Sequence, residues 1–162
     1  MLSSSSRGKI LIGTAQFGSK YGVTNKVGKT SRKEIFKILN LQKKFKILGF
    51  DTAQAYKSED IFKNFNVEKF DFIIKINKYN SSKNLEKFKK KILNIKNKLK
   101  LKRISCLMIH NSQDLLKKDA TNLYKKVKYL KDQNLVEKIG FSTYGTDKIL
   151  KITKKFRFDV IQ

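Results

Sequence analysis

Short runs of apolar residues alternate along the chain with longer stretches in which apolar positions recur every three or four residues. The short runs predict strands at Lys9–Gly13, Leu48–Thr52, Asp71–Ile76, Ile104–His110, Lys138–Ser142 and Asp159–Gln162. Each is close to continuously apolar, the pattern of a strand covered on both faces. The longer stretches predict helices. Ser31 followed by Glu34 is a capping box, with Ile35, Ile38, Leu39 and Phe45 on one face behind it. Ser58 precedes the acidic pair Glu59 and Asp60, well placed for a helix N-terminus, and Ile61, Phe62 and Phe65 follow. Ser82 opens a lysine-rich helix that carries Leu85, Phe88, Ile92, Ile95 and Leu99. Ala120, Leu123, Val127 and Leu130 mark a fourth helix. Thr146 and Asp147 introduce a short fifth with Ile149, Leu150 and Ile152.

Strands that alternate with helices imply an α/β fold, a parallel sheet covered by helices. No linker, repeat or low-complexity tract interrupts the alternation, so residues 1–162 read as one domain. Two architectures satisfy the pattern, an open doubly wound sheet or part of a (β/α) barrel. Periodicity does not choose between them.

Composition narrows the function classes. At 162 residues and 40% hydrophobic, the chain can bury a core without a staple. One cysteine, Cys106, and one histidine, His110, exclude a Cys/His zinc site, and no metal is expected. A single thiol fits a reducing cytoplasm. No apolar run approaches the roughly 20 residues of a bilayer span, and Met1–Arg7 lacks the apolar stretch of a secretory signal. A soluble cytoplasmic protein with no membrane partner is the expectation. The net charge of +25 invites a nucleic-acid reading. It comes from 34 lysines against 4 arginines, however, with no proline, which points to codon bias in an AT-rich genome. Readers of phosphates and bases favour arginine for its bidentate fork. The densest basic run, Lys87–Arg103, is interleaved with the apolar stripe of the third helix, so its lysines form a solvated face. No specific nucleic-acid partner is expected.

The candidate chemistry sits at the carboxyl ends of the strands, where parallel α/β folds gather their sites. Read in order, those ends are Gly13-Thr14-Ala15-Gln16-Phe17-Gly18, Asp51-Thr52-Ala53-Gln54-Ala55-Tyr56, Lys75, His110-Asn111 and Ser142-Thr143-Tyr144-Gly145. Titratable groups thus close successive apolar strands, where an unpaired charge is expensive to bury. Any one of them reads as a satisfied polar residue at a core edge; four in succession do not. The glycines at 13 and 18 do not make a phosphate loop, because Ser19 and Lys20 stand in reverse order and a turn follows.

In these residues the sequence resembles the aldo-keto reductases, with wording that suggests a bacterial branch. Gly13–Gly18 looks like the first strand end of that family. Asp51-Thr52-Ala53 with Tyr56, Ser58 and Glu59 looks like the second. Lys75 and His110 close the third and fourth, Gly140-Phe141-Ser142-Thr143-Tyr144-Gly145 looks like the fifth, and Asp159–Gln162 like the sixth. The resemblance implies a partial (β/α)8 TIM barrel of about six parallel strands, with strands 7 and 8 absent and the chain truncated at its C-terminal end. A complete barrel has eight strands and about 250 residues. It implies an NADPH-dependent oxidoreductase that reduces an aldehyde or ketone, a small-molecule carbonyl, to an alcohol by hydride transfer. In that reading Tyr56 is the general acid, Lys75 lowers its pKa, Asp51 holds Lys75 charged, and His110 orients the substrate. Thr14, Ser142, Thr143 and Gln162 would contact the cofactor, NADPH or its oxidised form NADP+. Two positions depart from the family pattern: Lys57 stands where glycine is common, redirecting or tightening a turn, and Thr143 where asparagine is usual. The alternatives are an inactive fragment or a partner-binding module of the same fold. Open edges at Ile10–Ile12 and Val160–Ile161 would favour self-association, and without the loops after strands 7 and 8, which commonly hold phosphate groups, the chain alone would bind NADPH poorly.

Overall fold

The computed structural model describes residues 10–45, 47–77 and 84–162. Lys9 and Ser82, expected to open a strand and a helix, lie outside the described residues. Six strands form one sheet: β1 (Ile10–Gly13), β2 (Ile47–Ala53), β3 (Asp71–Ile76), β4 (Ile104–Ile109), β5 (Val136–Phe141) and β6 (Val160–Ile161). All neighbours are parallel and the order is sequential, β1-β2-β3-β4-β5-β6. A doubly wound sheet reverses its strand order at a switch point. This one never does, so each connection adds the next strand on the same side and the sheet curls into part of a (β/α)8 barrel.

One hydrogen bond measures the curl. The Gln162 Nε2 donates to Asp51 Oδ2 at 2.7 Å, although β2 and β6 are four steps apart in the sheet. In a flat sheet at about 4.8 Å per step, those strands would lie about 19 Å apart. The side chains meet because the inner face is concave.

The helices begin where local chemistry starts them. Helix α1 (Ala15–Gly18) is a single turn at the end of β1. Helix α2 (Arg32–Asn40) starts at Ser31, whose hydroxyl accepts from the Glu34 N–H at 3.2 Å. It stops earlier than the periodicity predicts. The Leu41 N–H bonds to both Lys37 and Ile38 carbonyls, tightening the last turn, and Gln42–Phe45 forms a separate turn, α3. Phe45 is therefore exposed instead of lining the α2 face; Phe36 stacks on Phe65 with ring centroids 4.9 Å apart. Helix α4 (Leu85–Lys98) is capped by Asn84, which accepts from the Glu86 and Lys87 N–H groups. It buries Phe88, Ile92 and Ile95 and turns its lysines outward. Helices α5 (Ala120–Asp132) and α6 (Thr146–Thr153) complete the outer layer. In α6, Ile152 is buried while Leu150, expected beside it, is exposed.

Strand alternation divides the sheet into two faces. Phe50, Phe72, Ile74, Leu107, Ile139 and Phe141 point to the helices and join their apolar stripes in one core. Phe50 is its hub, with ring centroids of Phe62, Phe70 and Phe72 at 4.9, 5.1 and 5.3 Å. The inner face carries Asp51, Lys75, Cys106, Met108 and Gly140 at alternate positions. Its lower half is a hollow of about 170 Å³ that includes Leu11, Ile73, Cys106 and Val160. There burial pushes the Cys106 thiol up to about 12, a value at which it is an inert, protonated apolar group.

Candidate active site at the carboxyl ends of the strands

The site is built on a rigid base. Thr14 follows β1 and is fully buried; its backbone N–H and its hydroxyl both donate to the Asp51 carbonyl, at 2.9 and 3.1 Å. The Ser58 hydroxyl lies 3.2 Å from that of Thr14 and 3.0 Å from that of Thr52. These three hydroxyls lock the ends of β1 and β2 to the loop that follows Tyr56. Ser58 is thus not the side-chain cap that its position before Glu59 suggests. The segment Glu59–Asn64 is a 3-10 helix without such a bond, because the hydroxyl is engaged inside the protein.

Tyr56 ends a short 3-10 turn, Gln54–Tyr56, and is buried. The first loop presses directly on it: a Cβ at Gly18 would lie 1.6 Å from the Tyr56 carbonyl oxygen, so no larger residue leaves that contact intact. Lys57 then takes the left-handed conformation, φ 53° and ψ 34°. The turn keeps the geometry natural to a glycine, and the lysine accommodates it at a cost of about 1 kcal/mol.

Asp51, Lys75 and Gln162 form a closed triangle on the inner face. Lys75 Nζ lies 2.7 and 2.8 Å from the two carboxylate oxygens of Asp51 and donates to Gln162 Oε1 at 2.9 Å. Gln162 returns its amide N–H to Asp51. The ammonium donates to Asp51 Oδ2 and to Gln162 Oε1 and is ion-paired with the carboxylate, which is how a lysine can be 6% exposed at the end of an apolar strand.

That commitment changes the expected relation between Lys75 and Tyr56. The ammonium lies over the Tyr56 ring, 5.9 Å from its centroid, and its charge is balanced by Asp51. The phenol is not lowered. Burial, with Tyr21, Asp51 and Tyr144 adding to it, pushes Tyr56 up to about 12. Tyr21 packs on Tyr56 with centroids 5.5 Å apart. Its backbone carbonyl is held by the side-chain amides of Gln16 and Asn25, at 3.1 and 2.9 Å.

His110 follows β4 and meets the Tyr56 ring edge-on, centroids 5.9 Å apart. Burial and the Lys75 charge lower its pKa, with Asp51 opposing. Its Nδ1 is 2.9 Å from Asn77 Oδ1. Beyond β5, the Ser142 N–H donates to the Ile109 carbonyl and the Thr143 N–H to the Gln162 carbonyl. Thr143 Oγ1 accepts from the Ser112 hydroxyl at 3.0 Å.

Asp51, Tyr56, Lys75, His110 and Gln162 therefore stand together at one end of the inner face. Ser142 and Thr143 lie at the same end, and Thr14 sits behind Asp51 with its hydroxyl turned into the protein. Sequence reasoning missed Tyr21 and Asn77, and it named Ser58 in the second strand-end motif without its bonds to Thr14 and Thr52. Asn77 was findable, since it directly follows β3 and obeys the strand-end rule; Tyr21 lies in a loop with no periodic signal.

The family model for the aldo/keto reductase family matches residues 9–162. No curated protein matches the chain. Among solved structures, an aldo-keto reductase from Bacillus halodurans, in its holo form, superposes with a TM-score of 0.71 at 14% identity over 94% of this chain and 52% of that one. A Pseudomonas aeruginosa protein named as an aldo-keto reductase gives 0.68 at 21% identity, over 90% and 59%. A glycerol dehydrogenase from Gluconobacter oxydans gives 0.61 at 17%, over 93% and 49%. At these identities the likeness is one of fold. The chain spans about half to three-fifths of the length of these structures.

Proposed function

The chain belongs to the aldo/keto reductase family, and from that premise we propose that it forms the catalytic part of an NADPH-dependent reductase that converts an aldehyde or ketone to an alcohol. The observation that carries the reading is the convergence of Asp51, Tyr56, Lys75 and His110, from the ends of three successive strands, on one half-buried polar cluster. The family uses a nicotinamide cofactor, and the residues present suit its nicotinamide end. Ser142 and Thr143 offer hydroxyl groups at the strand tops, Gln162 an amide, and Tyr56 and His110 ring surfaces. Ser142, Thr143 and Gln162 would hold the carboxamide, while Thr14 supports the site from behind. When bound, the reduced nicotinamide supplies the hydride to the carbonyl carbon.

The chain's own residues handle the proton. At neutral pH the Tyr56 phenol is fully protonated, given a value near 12, so it enters each turnover as a loaded acid. It remains a stronger acid than the alcohol it helps to form, and donates to the carbonyl oxygen as negative charge builds there. The phenolate left behind faces the Lys75 ammonium, which Asp51 and Gln162 hold in place. Burial of the cluster strengthens that interaction over its value in water. A cytoplasmic location belongs to the same reading; among the described residues no helix is long and apolar enough to cross a membrane.

A second reading has its own observation. Ile10 and Leu11 on β1 and Ile161 on β6 are exposed at the two edges of the sheet, which suits a module that pairs with another chain. One experiment separates the two. NADPH oxidation is followed with a panel of simple aldehydes and ketones, for the chain and for Tyr56→Phe, with the mass of each in solution. The reductase reading expects turnover that falls by about 10²-fold or more in Tyr56→Phe, with NADPH affinity little changed. An unaltered rate removes Tyr56 from the mechanism. Absence of both turnover and NADPH binding, in an assembly paired through its edges, favours the module.

A further inference from the structure

His110 is the chain's single histidine, and its Nδ1 has a definite partner in Asn77 Oδ1, 2.9 Å away. The pairing is set by the sheet. Strands β3 and β4 run in register with Ile76 opposite Ile109, so the next residue on each, Asn77 and His110, stand side by side. The His110 backbone N–H donates to the Ile76 carbonyl at 2.9 Å and fixes the base of the side chain. An amide oxygen can only accept a hydrogen bond. The ring nitrogen bonded to it therefore carries a proton, and in a neutral imidazole the other nitrogen carries none.

We propose that Asn77 is a positioning residue that holds His110 as the Nδ1–H tautomer, leaving Nε2 as a hydrogen-bond acceptor. This rests on the reading of His110 as part of the site. The charged and titratable groups around the ring favour its neutral form: burial and the Lys75 ammonium lower the imidazole pKa, against the Asp51 carboxylate, and the neighbouring Tyr56 phenol is uncharged. The consequence is a division of labour. A bare Nε2 accepts from the hydroxyl of an alcohol, but it has no proton to offer a carbonyl oxygen. Tyr56 is then the sole proton donor to the carbonyl, and His110 recognises the alcohol side of the reaction.

A single histidine makes the test direct. Long-range proton–nitrogen NMR of the 15N-labelled chain shows two imidazole nitrogens, and their shifts report which one is protonated. At about pH 8, above the ordinary histidine pKa of about 6.5, the unmodified chain should show Nδ1 protonated and Nε2 bare, by about tenfold, the factor one ordinary hydrogen bond supplies. Asn77→Leu removes the acceptor and should shift the population toward Nε2–H by a similar factor. Asn77→Asp keeps an acceptor and adds a charge, so it should retain Nδ1–H and raise the imidazole pKa. A dominant Nε2–H form in the unmodified chain overturns the proposal. So does an Nδ1–H form that persists in Asn77→Leu. If Asn77→Leu does not fold, the unmodified chain and Asn77→Asp decide the matter: Nδ1–H in both with a raised pKa in the second supports it, and an unmoved pKa overturns it. The measurement needs no turnover, so the tautomer can fail while the reductase reading stands, and the reverse.

Discussion

On the outer face of the sheet, the side chains of Phe50, Phe72, Ile74, Leu107 and Phe141 are buried in one apolar cluster with the helices. At matching heights on the inner face stand Asp51, Lys75, Met108 and Gly140, and there the groups with charge find partners of opposite character. The two faces share the same strands and the same backbone bonds. They differ in what a residue needs in order to stay buried. Outside, volume suffices, since any well-packed apolar group satisfies the site. Inside, each polar atom needs a particular partner at a particular distance, and removal of one member strands the next. The concave face can therefore carry chemistry that the convex face has no means to hold.

The largest effect expected from this contrast is on the outer face. Phe72→Ala empties a site shared by Phe50 and Phe62, whose ring centroids lie 5.3 Å from its own. Urea unfolding should show a loss of about 3–5 kcal/mol, and a loss below about 1 kcal/mol would mean that the aromatic cluster is not the core of the domain.

An intermediate effect sharpens the inner side. Lys75→Met leaves the Asp51 carboxylate with Gln162 as its remaining side-chain partner and should cost about 2–3 kcal/mol at neutral pH. Adding Asp51→Asn should restore at least half of that, because the second change removes the stranded charge. If the double variant is as unstable as the single, the pair is held by packing and the contrast between the faces fails.

The smallest effect lies at the outer margin, where charge returns. Asp159 accepts from the Ile139 backbone N–H at 2.9 Å and from Lys131. Burial works to raise its pKa, but those bonds, with Lys131 and Lys138, outweigh it and hold the carboxyl below its usual range. A depressed folded value contributes stability that is present above the unfolded pKa of about 3.9 and lost as pH falls through the folded value. Asp159→Asn should therefore be less stable by about 1 kcal/mol at neutral pH. The two unfolding curves should converge in acid. A difference that is constant from neutral pH into strong acid would assign the effect to packing.

Much of this organisation was legible beforehand, and the reason differs by residue. All six strands are legible to within two residues at each described end, because two-sided burial writes itself as an unbroken apolar run. β5 starts earlier, at Val136, and β6 is only Val160–Ile161. Helix α2 shows the limit: Ile35 and Leu39 follow the period, but Phe45 falls beyond a break that depends on how Leu41 closes the last turn. Ser58 had the local grammar of a cap and was recruited by Thr14 and Thr52 instead. Those hydroxyls are 44 and 6 residues away in sequence, a relation no local pattern encodes.

By itself, the sequence determined which residues are apolar, where the chain alternates between strand and helix, and which polar groups end each strand. Those properties are local, set by side-chain type and by periods of two and 3.6 residues. The tertiary structure alone decided that the sheet curls, bringing Gln162 to Asp51 across the three intervening strands. It also decided that Lys75 pairs with Asp51, that burial holds the Tyr56 phenol high, and that Asn77 rather than a carboxylate meets His110. Proton affinities and tautomers depend on burial and on charges a few ångströms away, and folding brings those neighbours from distant parts of the chain.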